Sequence, residues 1–199
     1  TGAGAQTTAR RLVVHALVIA LVMGAAYTVL LLAFGRPFYR LLGGEGTVLA
    51  SSLAYSNVVF AGAAFIWLAN TFSAMLRGTG NTLTPALVLA AVSTIHLPLS
   101  GSLVLGWGPM PRLGIMGAGI AYVSTFGLAT LLLGWVVLRP ASTLRPHADN
   151  LRLEWGLFRE ILRVGAISVL SALQTVLGSL LLTGFVARFG SAAVAGYGV

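Results

Sequence analysis

The sequence predicts an all-α, polytopic membrane helical bundle with five spans, and three observations predict it. Mean hydropathy is +0.94. Of the 199 residues, 57% are hydrophobic and only 8% charged, against roughly 25% charged in an ordinary soluble domain. Charge-free windows run 12–35, 46–76, 78–111, 113–138 and 164–187, and each exceeds the roughly 20 helical residues that cross a hydrocarbon core. A soluble fold of this length has no interior large enough to hide so much apolar surface.

The first span is expected over about 13–34, following Arg10-Arg11. A connection is expected at 35–47, where Gly35, Pro37, Gly43 and Gly44 supply turn residues and Phe38-Tyr39 suit the interface. The second span, about 49–75, carries Asn57, Asn70 and Ser73 and ends at a glycine turn, Arg77-Gly78-Thr79-Gly80-Asn81. The third, about 84–105, holds Pro85 at its start, where a missing N–H is harmless. Pro98 lies well inside it, where a kink is expected. Trp107 to Pro111 form a loop, and the fourth span, about 114–138, opens on Gly114, Gly117, Ala118 and Gly119, small residues that let membrane helices approach closely. Hydrophilic residues 139–160 separate it from a fifth span at about 161–187, and Leu153 to Arg163 can begin as an interfacial helix.

Charge gives orientation. The net charge of +8 and a pI near 11.4 would suggest nucleic acid in a soluble protein. Here the twelve basic residues, all arginine, are scattered between apolar spans, so no nucleic-acid partner is expected. Arg10, Arg11, Arg77, Arg139, Arg145, Arg152, Arg159 and Arg163 fall on one side; Arg36, Arg40, Arg112 and Arg188 fall on the other. Positively charged connections stay inside, which puts the N-terminus and the 139–160 stretch in the cytoplasm and the chain in the inner (plasma) membrane.

Catalytic chemistry is not visible. Glu45, Asp149, Glu154 and Glu160 all lie in connections or at their edges, cysteine is absent, and His15, His96 and His147 are far apart. No paired carboxylates, metal-spaced ligands or nucleophile–base set emerges, so neither an enzyme nor a metal or other cofactor is expected. The most informative polar residue is His96, in mid-span, with Ser93 on the preceding turn and Ser100 four residues later on the same helix face. His96 and Ser100 are candidates for the wall of a substrate or ion cavity; the alternative is a neutral histidine bonded to a neighbouring helix. Asn57 and Asn70 on the second span and Gln174-Thr175 on the fifth are weaker candidates, since such residues also hold membrane helices together.

Several phrases carry a resemblance. Arg77-Gly78-Thr79-Gly80-Asn81-Thr82-Leu83-Thr84-Pro85 resembles the Arg-Gly-x-Gly-Asp-x-x-x-Pro turn of the multidrug and toxic compound extrusion transporters. Leu113 to Ala121 is similar to their Leu-Gly-x-x-Gly-Ala-Ala-x-Ala helix opening. Phe189 to Gly198 is similar to the glycine-alanine phrase after the first helix of each half, and Gly2-Ala3-Gly4 with Ala9-Arg10-Arg11 fits the connection before the third helix. The resemblance implies helices three to seven of a twelve-helix, two-bundle transporter. Residues 1–138 would belong to the first bundle, 139–160 would connect the bundles, and 161–199 would open the second. The missing helices would be supplied by the same polypeptide.

The implied activity is a proton- or sodium-coupled antiporter that exports small amphiphilic or cationic drugs across the lipid bilayer by alternating access; a flippase for lipid-linked saccharide or peptidoglycan precursors is the alternative. Where many members carry Asn-x-x-x-Asp on the fifth helix, this chain has His96 and Ser100, and Asn81 replaces the usual Asp of the glycine turn. Gln174-Thr175 stand near a second-half acidic position of some members. The topology is checked by labelling, which is clean because native cysteine is absent. A cysteine introduced at Ser142 should react with an impermeant maleimide only after the cells are opened; reaction in intact cells reverses the orientation.

Overall fold

The computed structural model describes residues 2–41, 44–140, 142–145 and 153–187. These form two units, Thr1–Leu153 and Glu154–Val199. The first contains α1 (Gly2–Leu41), α2 (Gly46–Ala61), α3 (Ala63–Gly78), α4 (Leu83–Leu105) and α5 (Ile115–Leu138); the second contains α6 (Trp155–Ala187). Helices α1, α4, α5 and α6 are each long and apolar enough to cross a membrane, and α2 with α3 qualify together as a bent pair.

Two expected boundaries shift. The connection expected from residue 35 starts later, because α1 continues through Gly35 and Pro37 to Leu41. An interior proline removes one ladder hydrogen bond, and here it does so near the helix end, where Gly44 N–H then donates to the Tyr39 carbonyl at 2.9 Å. The fifth span and its interfacial approach are one continuous helix, α6, begun by the Glu154 carbonyl, which accepts from Leu157 and Phe158. Helix α4 likewise runs through Pro98 as a single element.

The second span is not one helix. It breaks at Gly62, and its halves meet at 52°. Gly62 is buried, and a side chain there would occupy the space of Val123 on α5. A helix end leaves backbone carbonyls without intrahelical donors, and in hydrocarbon each such group must find a protein partner. Thr28 Oγ1 on α1 donates to the Phe60 carbonyl at 2.6 Å, on the α2 side of the break. Thr130 Oγ1 on α5 donates to the Phe65 carbonyl at 2.7 Å, a bond that fastens the first turn of α3 to α5.

Helix α5 organises the first unit by packing against α2, α3 and α4, while α1 packs against α2 and α3. Its buried residues include Gly117, Ala121, Thr125, Ala129, Leu133 and Val137, an i+4 row that lies along one side of a helix. Gly117 is needed where α4 comes closest: a Cβ there would lie 2.6 Å from the Leu103 carbonyl oxygen. That carbonyl also accepts from Leu113 N–H at 2.9 Å, tying the two ends of the α4–α5 connection together.

Val13, Phe72, Leu76, Leu133, Val137 and Leu144 form a buried cluster at the arginine-rich end. Leu144 reaches it from the segment beyond α5, which is held by Arg10 Nε donating to the Thr143 carbonyl at 3.2 Å. His15 is fully buried, with its Nδ1 donating to the Arg11 carbonyl at 2.7 Å. At this end too, the turn after α3 is self-contained: Asn81 N–H donates to the Leu76 carbonyl at 3.0 Å. The Asn81 Oδ1 accepts from Thr84 N–H at 3.1 Å and caps the first turn of α4.

The Thr130 hydroxyl provides a test of the break. Thr130→Val keeps the shape but removes the hydroxyl's bond from α5 to α3, and should cost about 1 kcal/mol, the scale of interhelical hydrogen bonds in membranes. Thr94→Val removes only an exposed bond to the Ala90 carbonyl of its own helix and should be neutral. Reversible unfolding in mixed micelles, read by circular dichroism, compares the two.

Candidate functional site

The i, i+4 spacing of α4 and the aromatic face of α5 meet in a cavity of about 250 Å³, lined by Leu89, Val92, Ser93, His96 and Leu97 from α4 and by Tyr122, Thr125 and Phe126 from α5. Leu89, Val92 and Phe126 continue into a second apolar cluster, around Ala69, Val92 and Ala129, so the cavity rests on packed core. The His96 ring stands edge-on to Tyr122, with centroids 5.9 Å apart and planes at 83°. Tyr122 in turn packs on Phe126 at 4.8 Å.

The polar groups of the cavity are unequal. Thr125 Oγ1 lies 2.9 Å from the Ala121 and Tyr122 carbonyls and is held by its own helix. His96 Nδ1, in contrast, is buried with no hydrogen-bond partner among the described residues. An unpaired polar atom in an apolar setting costs several kcal/mol relative to a satisfied one, about 2–7 by transfer measurements. Binding a complementary group recovers that cost, so His96 is suited to pair with a polar group in the cavity. The volume is below the ~300–1,000 Å³ of drug-sized sites. It fits the head of a ligand or a hydrated ion, not a whole drug.

The other candidates do not converge on it. Ser100, one turn beyond His96, is half-buried and outside the lining. Asn57 is exposed on α2. Asn70 is exposed on α3, with Nδ2 donating to the Ile66 carbonyl of its own helix at 2.8 Å. Gln174 and Thr175 are exposed on α6, in the second unit. The phrase at 189–198 lies outside the described residues, as do Arg188, His147, Asp149 and Arg152.

Tyr122, which was not among the sequence candidates, packs against His96 and forms part of the cavity wall. The available signal was the aromatic pair Tyr122 and Phe126, spaced i, i+4. Trp67 packs against Tyr27, with ring centroids 5.7 Å apart. Among the described residues no group of three or more His, Cys, Asp or Glu could hold a metal ion.

Comparison with known proteins agrees with this fold. The MatE family model matches residues 1–100. The chain is 30% identical over 181 residues to a probable multidrug resistance protein, YoeA, of Bacillus subtilis, covering 89% of this chain and 39% of that protein. It is 29% identical over 200 residues to an FAD transporter of Shewanella oneidensis, covering 99% of this chain and 44% of that one. A crystal structure of a MATE protein in complex with MaL6 superimposes with a TM-score of 0.87 at 23% identity, over 96% of this chain and 42% of that one. The chain therefore spans about two fifths of the length of the curated relatives it matches. A membrane bundle of this topology, with half its residues matched by the family model, belongs to the MatE family, the multidrug and toxic compound extrusion proteins.

Proposed function

We propose that this chain is part of a cation-coupled antiporter that exports small amphiphilic or cationic compounds by alternating access, with a proton or sodium as the coupling ion. In this reading it lies in the plasma membrane with its N-terminus in the cytoplasm, and the helices absent from the chain complete the cavity wall. The observation that carries the reading is His96, whose buried Nδ1 has no partner among the described residues and whose ring packs edge-on to Tyr122 in the lining of a small cavity. Aromatic faces attract cations, and imidazole is the side chain whose ordinary titration falls between pH 5 and 8. The two together can hand a binding position between a proton and a cationic head group.

An anionic cargo, whether a lipid pyrophosphate or a dinucleotide, needs guanidinium groups directed at it. Among the described residues no arginine lines the His96 cavity; the described arginines lie in connections or within about three turns of a helix end. This favours export of cations over the flippase alternative. Rocking of one bundle against another, the usual motion of carriers built from repeated halves, would expose such a cavity to each side in turn.

Two outcomes are expected. In the complete transporter, His96→Gln keeps hydrogen bonding but cannot gain a proton near neutrality, so the pH dependence of efflux between about pH 6 and 8 should flatten at equal folded amount. A profile and substrate affinity identical to wild type would make His96 a structural residue. Separately, proteoliposomes containing only residues 1–199 should show no gradient-driven efflux, because the cavity wall is incomplete. Efflux from them would overturn the proposed division of the transporter.

A further inference from the structure

We propose that the outer groove between α3 and α5 is a binding site for an anionic phospholipid, with one acyl chain in the groove and the headgroup phosphate on Arg139. The groove has a volume of about 720 Å³ and lies between Leu68 and Phe72 on α3 and Leu131, Gly134, Trp135 and Leu138 on α5. Gly134 makes the trough: a Cβ there would come within 3.2 Å of the Phe72 ring. From Leu131 to Leu138 the channel runs about 10 Å along the helix at 1.5 Å per residue.

The floor of the groove selects for a hydrocarbon. Its one hydroxyl, Thr130 Oγ1, already donates to the Phe65 carbonyl, so it has no proton left to offer a ligand. The mouth selects for an anion. The Arg139 guanidinium stands 5.9 Å over the Trp135 ring, and Trp135 is 67% exposed, as an interfacial anchor should be. Around this end of the first unit lie Arg10, Arg11, Arg77, Arg139 and Arg145, while the acidic residue described in that unit, Glu45, precedes α2 at the opposite end. An apolar slot that opens on an indole and a guanidinium matches the two halves of an anionic lipid. Basic pockets between membrane helices bind such headgroups on the cytoplasmic side. The site does not depend on what the protein transports.

The test uses Trp135 as its own reporter. Trp67, Trp107 and Trp155 are replaced by Phe, and the protein is reconstituted in phosphatidylcholine bilayers doped with brominated phosphatidylglycerol or brominated phosphatidylcholine. Brominated phosphatidylglycerol should quench Trp135 at about fivefold lower mole fraction, the preference that one arginine near the surface confers. Arg139→Gln should bring the ratio close to one, Arg139→Lys should retain most of it, and Arg77→Gln should leave it unchanged. Inorganic phosphate in the buffer should not reverse the quenching, whereas a free-anion site would release the lipid. Equal quenching by both lipids, or equal loss in Arg77→Gln and Arg139→Gln, would reduce the effect to general surface attraction and overturn the site. Absence of quenching by either lipid would show the groove covered by another protein segment, and would overturn it as well.

Discussion

The first unit depends on how the backbone is satisfied where the second span breaks. A continuous helix needs nothing from its neighbours for its own carbonyls, but a 52° bend in hydrocarbon releases polar groups that only protein can pair. Thr28 from α1 donates to the Phe60 carbonyl at the end of α2, and Thr130 from α5 fastens the first turn of α3 through the Phe65 carbonyl. The bend is therefore a contact among three elements. It fixes the direction of α3 relative to α2, and with it the surfaces that α1 and α5 have to fit.

The rest of the packing follows from that geometry and from the small residues that permit it. The i+4 row of α5, from Gly117 through Ala121, Thr125 and Ala129, lets this helix face α2, α3 and α4 at short range. At one end the row becomes large, with Leu133 and Val137 fully buried beside Phe72 and Leu76. Toward the middle, between α4 and the side of α5 that bears Tyr122 and Phe126, the packing leaves the cavity around His96. Tight packing on one side of a helix and a polar opening on another are arranged by the same element. The outer groove arises in a related way, since Gly134 gives up volume above Phe72 and leaves Trp135 and Arg139 at its edge.

Charge is sorted with equal economy. The described arginines of the first unit lie in connections or within about three turns of a helix end, and none is fully buried. Arg10 also holds the Thr143 carbonyl. One anchoring residue thereby fastens the chain segment that carries Leu144 back onto the bundle.

Much of this was legible in the sequence. The spacing of charged residues located the spans, and α4 and α5 were placed within about a residue, because hydrophobic length is a one-dimensional property that charge interrupts sharply. The glycine turn after α3, the close approach at Gly117 and the mid-span position of His96 were also readable, since each is carried by adjacent or i+4 residues. The break at Gly62 was not: Gly62 sits in an unbroken apolar run, and what surrounds the break is Val123 on another element together with two distant threonines. Thr28 and Thr130 looked like ordinary span residues, whereas the more polar Asn57 and Asn70 drew attention and proved exposed. Composition and local spacing by themselves determined a multi-span helical membrane protein with arginine at its helix ends. Which hydroxyl serves which carbonyl, and which ring faces His96, was decided only by tertiary packing, because those partners are dozens of residues apart and meet only when helices cross.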